Sequence, residues 1–178
     1  LNYVGENKEQ LAARRIYTVS PYLVNEDYIC FLNEDDWFKP NHVESLMKVI
    51  EEDKLEWAHS LRGVYDKKGN FLFNDDCESL GKYDIWNSPG HHLVESCSYM
   101  VRNDILRRLS WVNDFRGYGP DRVMYSILAQ LNPNFGCSGE YSMCFRLGGN
   151  PGSVNREFFE AGNAEMTKRY PLGFPWSL

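Results

Sequence analysis

The chain has 178 residues, 43% hydrophobic and 15% aromatic, enough apolar material for one domain with a buried core. A formal net charge of -6 excludes broad electrostatic binding to nucleic acid, which needs a basic face. The five cysteines (Cys30, Cys77, Cys97, Cys137, Cys144) are odd in number and lack metal-ligand spacing, so reduced buried thiols in a cytoplasmic protein are the expectation. No stretch reads as a membrane span or a signal peptide. The opening at Leu1, in a loop that leads to a helix, reads as that of a fragment.

In chain order, residues 7–20 carry Leu11, Ala12, Arg15, Ile16 and Val19 at helical spacing, with Pro21 as the expected stop. Residues 28–33 fit a buried strand. Pro40 suits a first helical turn, and Val43, Leu46, Met47 and Ile50 then predict an apolar stripe facing the core. Residues 55–65 read as a strand, 67–70 as a turn and 71–73 as the returning strand. The polar and aromatic stretch 74–95, with Pro89 and Gly90, predicts a long functional loop. A strand over 96–101, a short helix over 103–109 and a helix over 120–131 follow. Residues 135–147 then form one strand or two, 148–153 a loop, and 154–170 a closing helix. Strands alternating with helices, richest in strand at the middle, predict an α/β sandwich around a mixed sheet.

The stretch most informative about function is YICFLNEDDWFK at 28–39, an apolar run that ends in Glu34, Asp35 and Asp36. A sheet presents hard oxygen ligands to a divalent metal, and through it to phosphates, in this way. On the residues alone, an acidic turn ahead of the helix near Pro40 is the plainer alternative.

With its neighbours, this stretch is similar to the Asp-X-Asp motif of the family-two inverting glycosyltransferases of GT-A fold. Further segments fall in that family's order. Ala13-Arg14-Arg15 resembles its Ala-Arg-Asn helix, and Ser98 to Arg102 resembles the strand opening its acceptor half. Gly119-Pro120-Asp121-Arg122 stands where a Glu-Asp pair opens a helix. Phe145-Arg146 with Gly152-Ser153 resembles the closing Tyr-Arg and Gly-Ser loop. The sequence departs from the pattern at three places. Asn33 replaces the first Asp, Pro120 replaces the Glu, and no His lies between Arg146 and Ser153 to serve as a third metal ligand.

The resemblance implies a GT-A-like (nucleotide-diphospho-sugar transferase) three-layer sandwich over 1–178. Residues 1–53 would be the remainder of the donor- and metal-binding half, and 54–178 the acceptor half. The β-α-β unit that holds the nucleotide base is expected before residue 1, so the fold would be N-terminally truncated. The donor would be a nucleoside diphosphate sugar and the cofactor Mn²⁺ or Mg²⁺. The acceptor would be a glycan, lipid-linked or protein-linked hydroxyl; a lipid-linked one would bring peripheral association with a membrane.

The implied site takes Asp35 as metal ligand and Asp36 as a second ligand or a structural acid. Glu34 would face solvent or sugar, Asn33 a ribose and Arg14 the nucleotide. Arg146 would face the diphosphate or brace the closing loop. Asp121 is the expected catalytic base, kept ionised in a first helical turn, with an ordinary ion pair to Arg122 or Arg102 as the alternative. Trp37, Trp86 and Trp111 are candidates to stack on sugars, although an isolated tryptophan is more often core. His91 and His92 are adjacent and so point apart, which disfavours a two-histidine ligand pair. Two other functions compete. One is a catalytically silent carbohydrate-binding or scaffolding module of the same fold. The other is a nucleotidyltransferase, which would show a Gly-rich phosphate loop that this sequence lacks.

Overall fold

The computed structural model describes residues 8–75, 94–110, 120–148, 168 and 171. Helix α1 (Lys8–Leu23) leads to β1 (Tyr28–Cys30), a two-residue β2 (Trp37–Phe38), α2 (His42–Asp53), β3 (Trp57–Tyr65) and β4 (Phe71–Asp75). A 3₁₀ turn (Ser96–Ser98) opens β5 (Tyr99–Arg102), and α3 (Asn103–Leu109), α4 (Pro120–Leu131) and β6 (Phe135–Arg146) complete the order. Among the described residues no helix is long and apolar enough to cross a membrane.

The sheet runs β1-β5-β3-β6-β2, with β4 added on β3. It is mixed, because β3 and β6 run parallel while every other pair is antiparallel. Strand β3 is buried from Trp57 to Val64, as expected of a strand covered on both faces. Alternation along the strands then sorts side chains into two cores. Trp57, Tyr99, Val101 and Ile29 point to one face, where Ile105, Leu106 and Leu109 of α3 and Met124 and Leu128 of α4 meet them. Ala58 and Met100 point to the other, against Leu46 and Ile50 of α2. Helices therefore cover both faces of a mixed sheet, and the α/β class holds.

Several elements end away from where the sequence puts them. Helix α1 contains Pro21 instead of stopping there. Its last turn is held from outside, since Arg107 donates to the carbonyls of Pro21 (2.7 Å) and Val24 (3.0 Å). Strand β1 ends at Cys30, not at residue 33. The inward line of α2 is His42, Leu46 and Ile50, whereas Val43 is 51% exposed. His42 takes the inner position because its ring stacks on Phe38 at 3.9 Å and its Nδ1 meets Ser142 Oγ at 2.8 Å. Residues 135–146 form one continuous strand. Of the cysteines, Cys30, Cys97, Cys137 and Cys144 are free thiols, and Cys97 and Cys144 are buried. The expected long loop, with Cys77, Trp86, His91 and His92, lies outside the described residues apart from its first and last two positions, as do Trp111, Gly152 and Ser153. The expected closing helix lies outside them too, except for Lys168.

The acid stretch acquires its position from this topology. Strands β1 and β2 close opposite ends of the strand order, yet only residues 31–36 join them. Four steps of about 4.8 Å in a flat sheet would leave roughly 19 Å to span. Those residues include a reverse turn, closed by Asp36 N–H to Asn33 O at 3.3 Å, so they are not fully extended. Twist must bring the two edges together at this end of the sheet.

Candidate functional site

Phe31 is buried against Tyr17 of α1, with ring centroids 4.4 Å apart, and this anchors the exit from β1. The chain then turns through Glu34 and Asp35. Glu34 is exposed, Asp35 is half-buried at the rim, and Asp36 is buried at 9% exposure. The acids are thus sorted by depth rather than presented together.

Asp36 points inward. Its Oδ1 accepts the backbone N–H of Arg146 (2.9 Å), and its Oδ2 accepts from Asn33 Nδ2 (3.3 Å). Burial pushes its carboxyl above the ordinary range. The Arg146 N–H pulls the other way, Asp35 raises it further, and Asn33 and Arg62 lower it. The same Asn33 Nδ2 donates to Glu95 Oε1 at 3.3 Å. Glu95 caps the 3₁₀ turn, its Oε2 accepting from Cys97 N–H at 2.9 Å and its Oε1 from Ser96 Oγ at 3.1 Å. Asn33 N–H is directed at Cys97 Sγ (3.2 Å), and Tyr17 Oη meets Ser96 Oγ at 2.8 Å. Burial, with Glu95 beside it, drives the Cys97 thiol well above its ordinary pKa.

At the other side of the turn, Trp37 packs on Tyr65 with centroids 4.7 Å apart, and the Arg146 guanidinium lies 5.4 Å from the centre of the Trp37 ring. One face of Trp37 is therefore already taken by a cation. Arg146 Nε is buried and has no hydrogen-bond partner among the described residues. Behind this layer, Arg62 forms a buried ion pair with Asp75 at 2.7 Å and lies over Phe145.

Of the residues expected from sequence, the structure gathers Asn33, Asp35, Asp36 and Arg146. Arg14 lies one helical turn before Tyr17 in α1, and Asp121 in the first turn of α4; the side chains of both are outside the description. Sequence reasoning missed Tyr17, Glu95, Ser96 and Cys97. No local signal marked Glu95 as a cap, because residues 96–98 read as strand and form a 3₁₀ turn instead.

The ligand atoms of Asp36, Glu95 and Cys97 lie within 4.8 Å of one another. As a donor set this does not suit Mg²⁺, which takes oxygen ligands in near-octahedral array, because one member is a thiol. Both carboxylates also already accept hydrogen bonds from protein donors. Asp35 is half-buried beside them. No protein-family model and no curated protein matches the chain.

Proposed function

We propose that the chain belongs to a metal-dependent inverting glycosyltransferase that moves a sugar from a nucleoside diphosphate donor to a glycan, lipid-linked or protein-linked hydroxyl. One observation carries this reading. The acid motif and the closing segment, the two ends of the resemblance, meet in the bond from Arg146 N–H to Asp36. Such a meeting is what a site needs if it is to hold a diphosphate between a cation-binding turn and a closing strand. The three-layer arrangement around a mixed sheet supports it further.

In this reading Asp35 would hold Mn²⁺ or Mg²⁺, which when bound neutralises charge on the leaving diphosphate. Glu34, exposed in the turn, would face solvent or sugar, and Arg14 would meet the nucleotide, as the resemblance implies. Arg146 orients the diphosphate through its guanidinium, held in place by Trp37. Asp121 takes the proton of the acceptor hydroxyl. The hydroxyl oxygen then bonds to the anomeric carbon as the bond to the diphosphate oxygen breaks on the opposite face, which inverts that centre.

A second reading, a catalytically silent carbohydrate-binding or scaffolding module, is favoured by Asn33, whose neutral amide stands where the resembling family has a charged acid. Incubation with a panel of nucleoside diphosphate sugars and Mn²⁺ separates the two. Release of nucleoside diphosphate from at least one donor is the expected result. A chain that binds glycans but releases none would support the silent module.

A further inference from the structure

We infer that the side-chain amide of Asn33 takes the place of a cation in the acid turn, which makes Asp36 a positioning residue and not a metal ligand. Asp36 and Glu95, with ligand atoms within 4.8 Å of each other and of the neutral Cys97 thiol, repel as carboxylates unless a hydrogen-bond donor or a cation lies between them. What lies between Asp36 and Glu95 is Asn33 Nδ2, 3.3 Å from an oxygen of each. An amide nitrogen has two hydrogens, one for each acid. The remaining acceptors face protein donors as well: Asp36 Oδ1 the Arg146 N–H, Glu95 Oε2 the Cys97 N–H, and Cys97 Sγ the Asn33 N–H. A metal bridging the two acids would have to displace the Asn33 amide that lies between them.

An Asp at position 33 would reverse the situation. It has no N–H to offer and adds a third negative charge, so the cluster would then need a bound cation. The neutral residue makes the cluster self-sufficient. The result is a clasp joining the acid turn, the entry to β5 and the end of β6, with α1 attached through Tyr17 and Ser96. The clasp fixes Asp35, the neighbour of Asp36, and sets Arg146 over Trp37. On the proposed function, on which this last step rests, Asp35 is the carboxylate that would meet a divalent ion. That ion then enters with the diphosphate instead of residing in the chain beforehand.

Thermal unfolding of the chain, of Asn33→Asp and of the double variant Asn33→Asp/Glu95→Gln, each in EDTA and in millimolar Mn²⁺, tests the inference. The parent Tm should agree in the two buffers within about 1 °C, while Asn33→Asp in EDTA melts roughly 5 °C or more lower and recovers most of that in Mn²⁺. The double variant restores one amide among the acids and should regain stability without metal. A parent Tm that rises in Mn²⁺, with the rise abolished by Asp36→Asn, would show that the cluster itself holds metal and overturn the inference. So would an Asn33→Asp chain as stable in EDTA as the parent. Should Asn33→Asp not fold, the double variant decides: recovery supports the charge argument, and equal damage contradicts it. None of these readings requires sugar transfer, so loss of the proposed activity would leave them intact.

Discussion

The backbone N–H of Arg146 reaches Oδ1 of Asp36 over 2.9 Å, tying the acid turn to the end of β6 across 110 positions of sequence. Because the acceptor is a buried carboxylate, its loss leaves a part-buried N–H without its partner. Asp36→Ala should cost about 2–3 kcal/mol in urea denaturation, and Asp36→Asn about 1 kcal/mol, since an amide carbonyl still accepts from Arg146. Equal losses for the two variants would mean that the bond contributes little.

The Arg62–Asp75 pair, at 2.7 Å with side chains 8% and 1% exposed, lies one layer behind the site. Removing one charge from a buried pair is more damaging than replacing both. Asp75→Ala should therefore destabilise by about 3–5 kcal/mol, with Arg62→Met/Asp75→Leu recovering a large part. Equilibrium unfolding of the single and double variants checks this, and the account fails here if the double variant is no better than the single.

His42 gives the fold a pH dependence. It is fully buried, and burial pushes its pKa from 6.5 down to about 4. Between those values the unfolded chain binds a proton that the folded chain does not, so stability rises with pH. It falls as pH drops from 6.5 toward 4, by up to about 3 kcal/mol from this group. His42→Asn keeps a partner for Ser142 without the titration. The stability-versus-pH slope over that window should therefore be shallower in the variant than in the parent. Parallel curves would rule His42 out as the source.

How much of this was legible in the sequence depends on which force decided each element. Helices Asn103–Leu109 and Pro120–Leu131 stand where periodicity puts them, because local amphipathicity and packing agree. Strand β1 is shorter than its apolar run, and the reason is distant. Phe31 is buried by Tyr17 rather than by a strand ladder, and Asn33 N–H is spent on Cys97, a residue 64 positions away. Apolarity alone cannot separate a buried strand from a buried crossing. The exchange of Val43 for His42 on α2 has a similar origin, since Ser142, a hundred residues on, supplies the partner that makes a buried imidazole tolerable. At the site, the motif located Asn33, Asp35 and Asp36, but which acid turned inward was set by Arg146 and Glu95, through contacts that no local spacing encodes.

Asp121 opens α4, where the helix dipole favours an ionised carboxylate. If it is the base, Asp121→Asn should lower turnover by roughly 10²- to 10⁴-fold with donor affinity little changed. Single-turnover transfer assays beside donor binding would show this split. A turnover within a few-fold of the parent would remove Asp121 from the mechanism.

The account's central claim is that Asp35 presents a divalent cation to a nucleoside diphosphate. Calorimetric titration of the full-length protein with uridine diphosphate, in Mn²⁺ and in EDTA, tests it most directly. Binding in Mn²⁺ that disappears in EDTA and in Asp35→Ala is the predicted result. Binding that is indifferent to EDTA, or that survives Asp35→Ala unchanged, would contradict it.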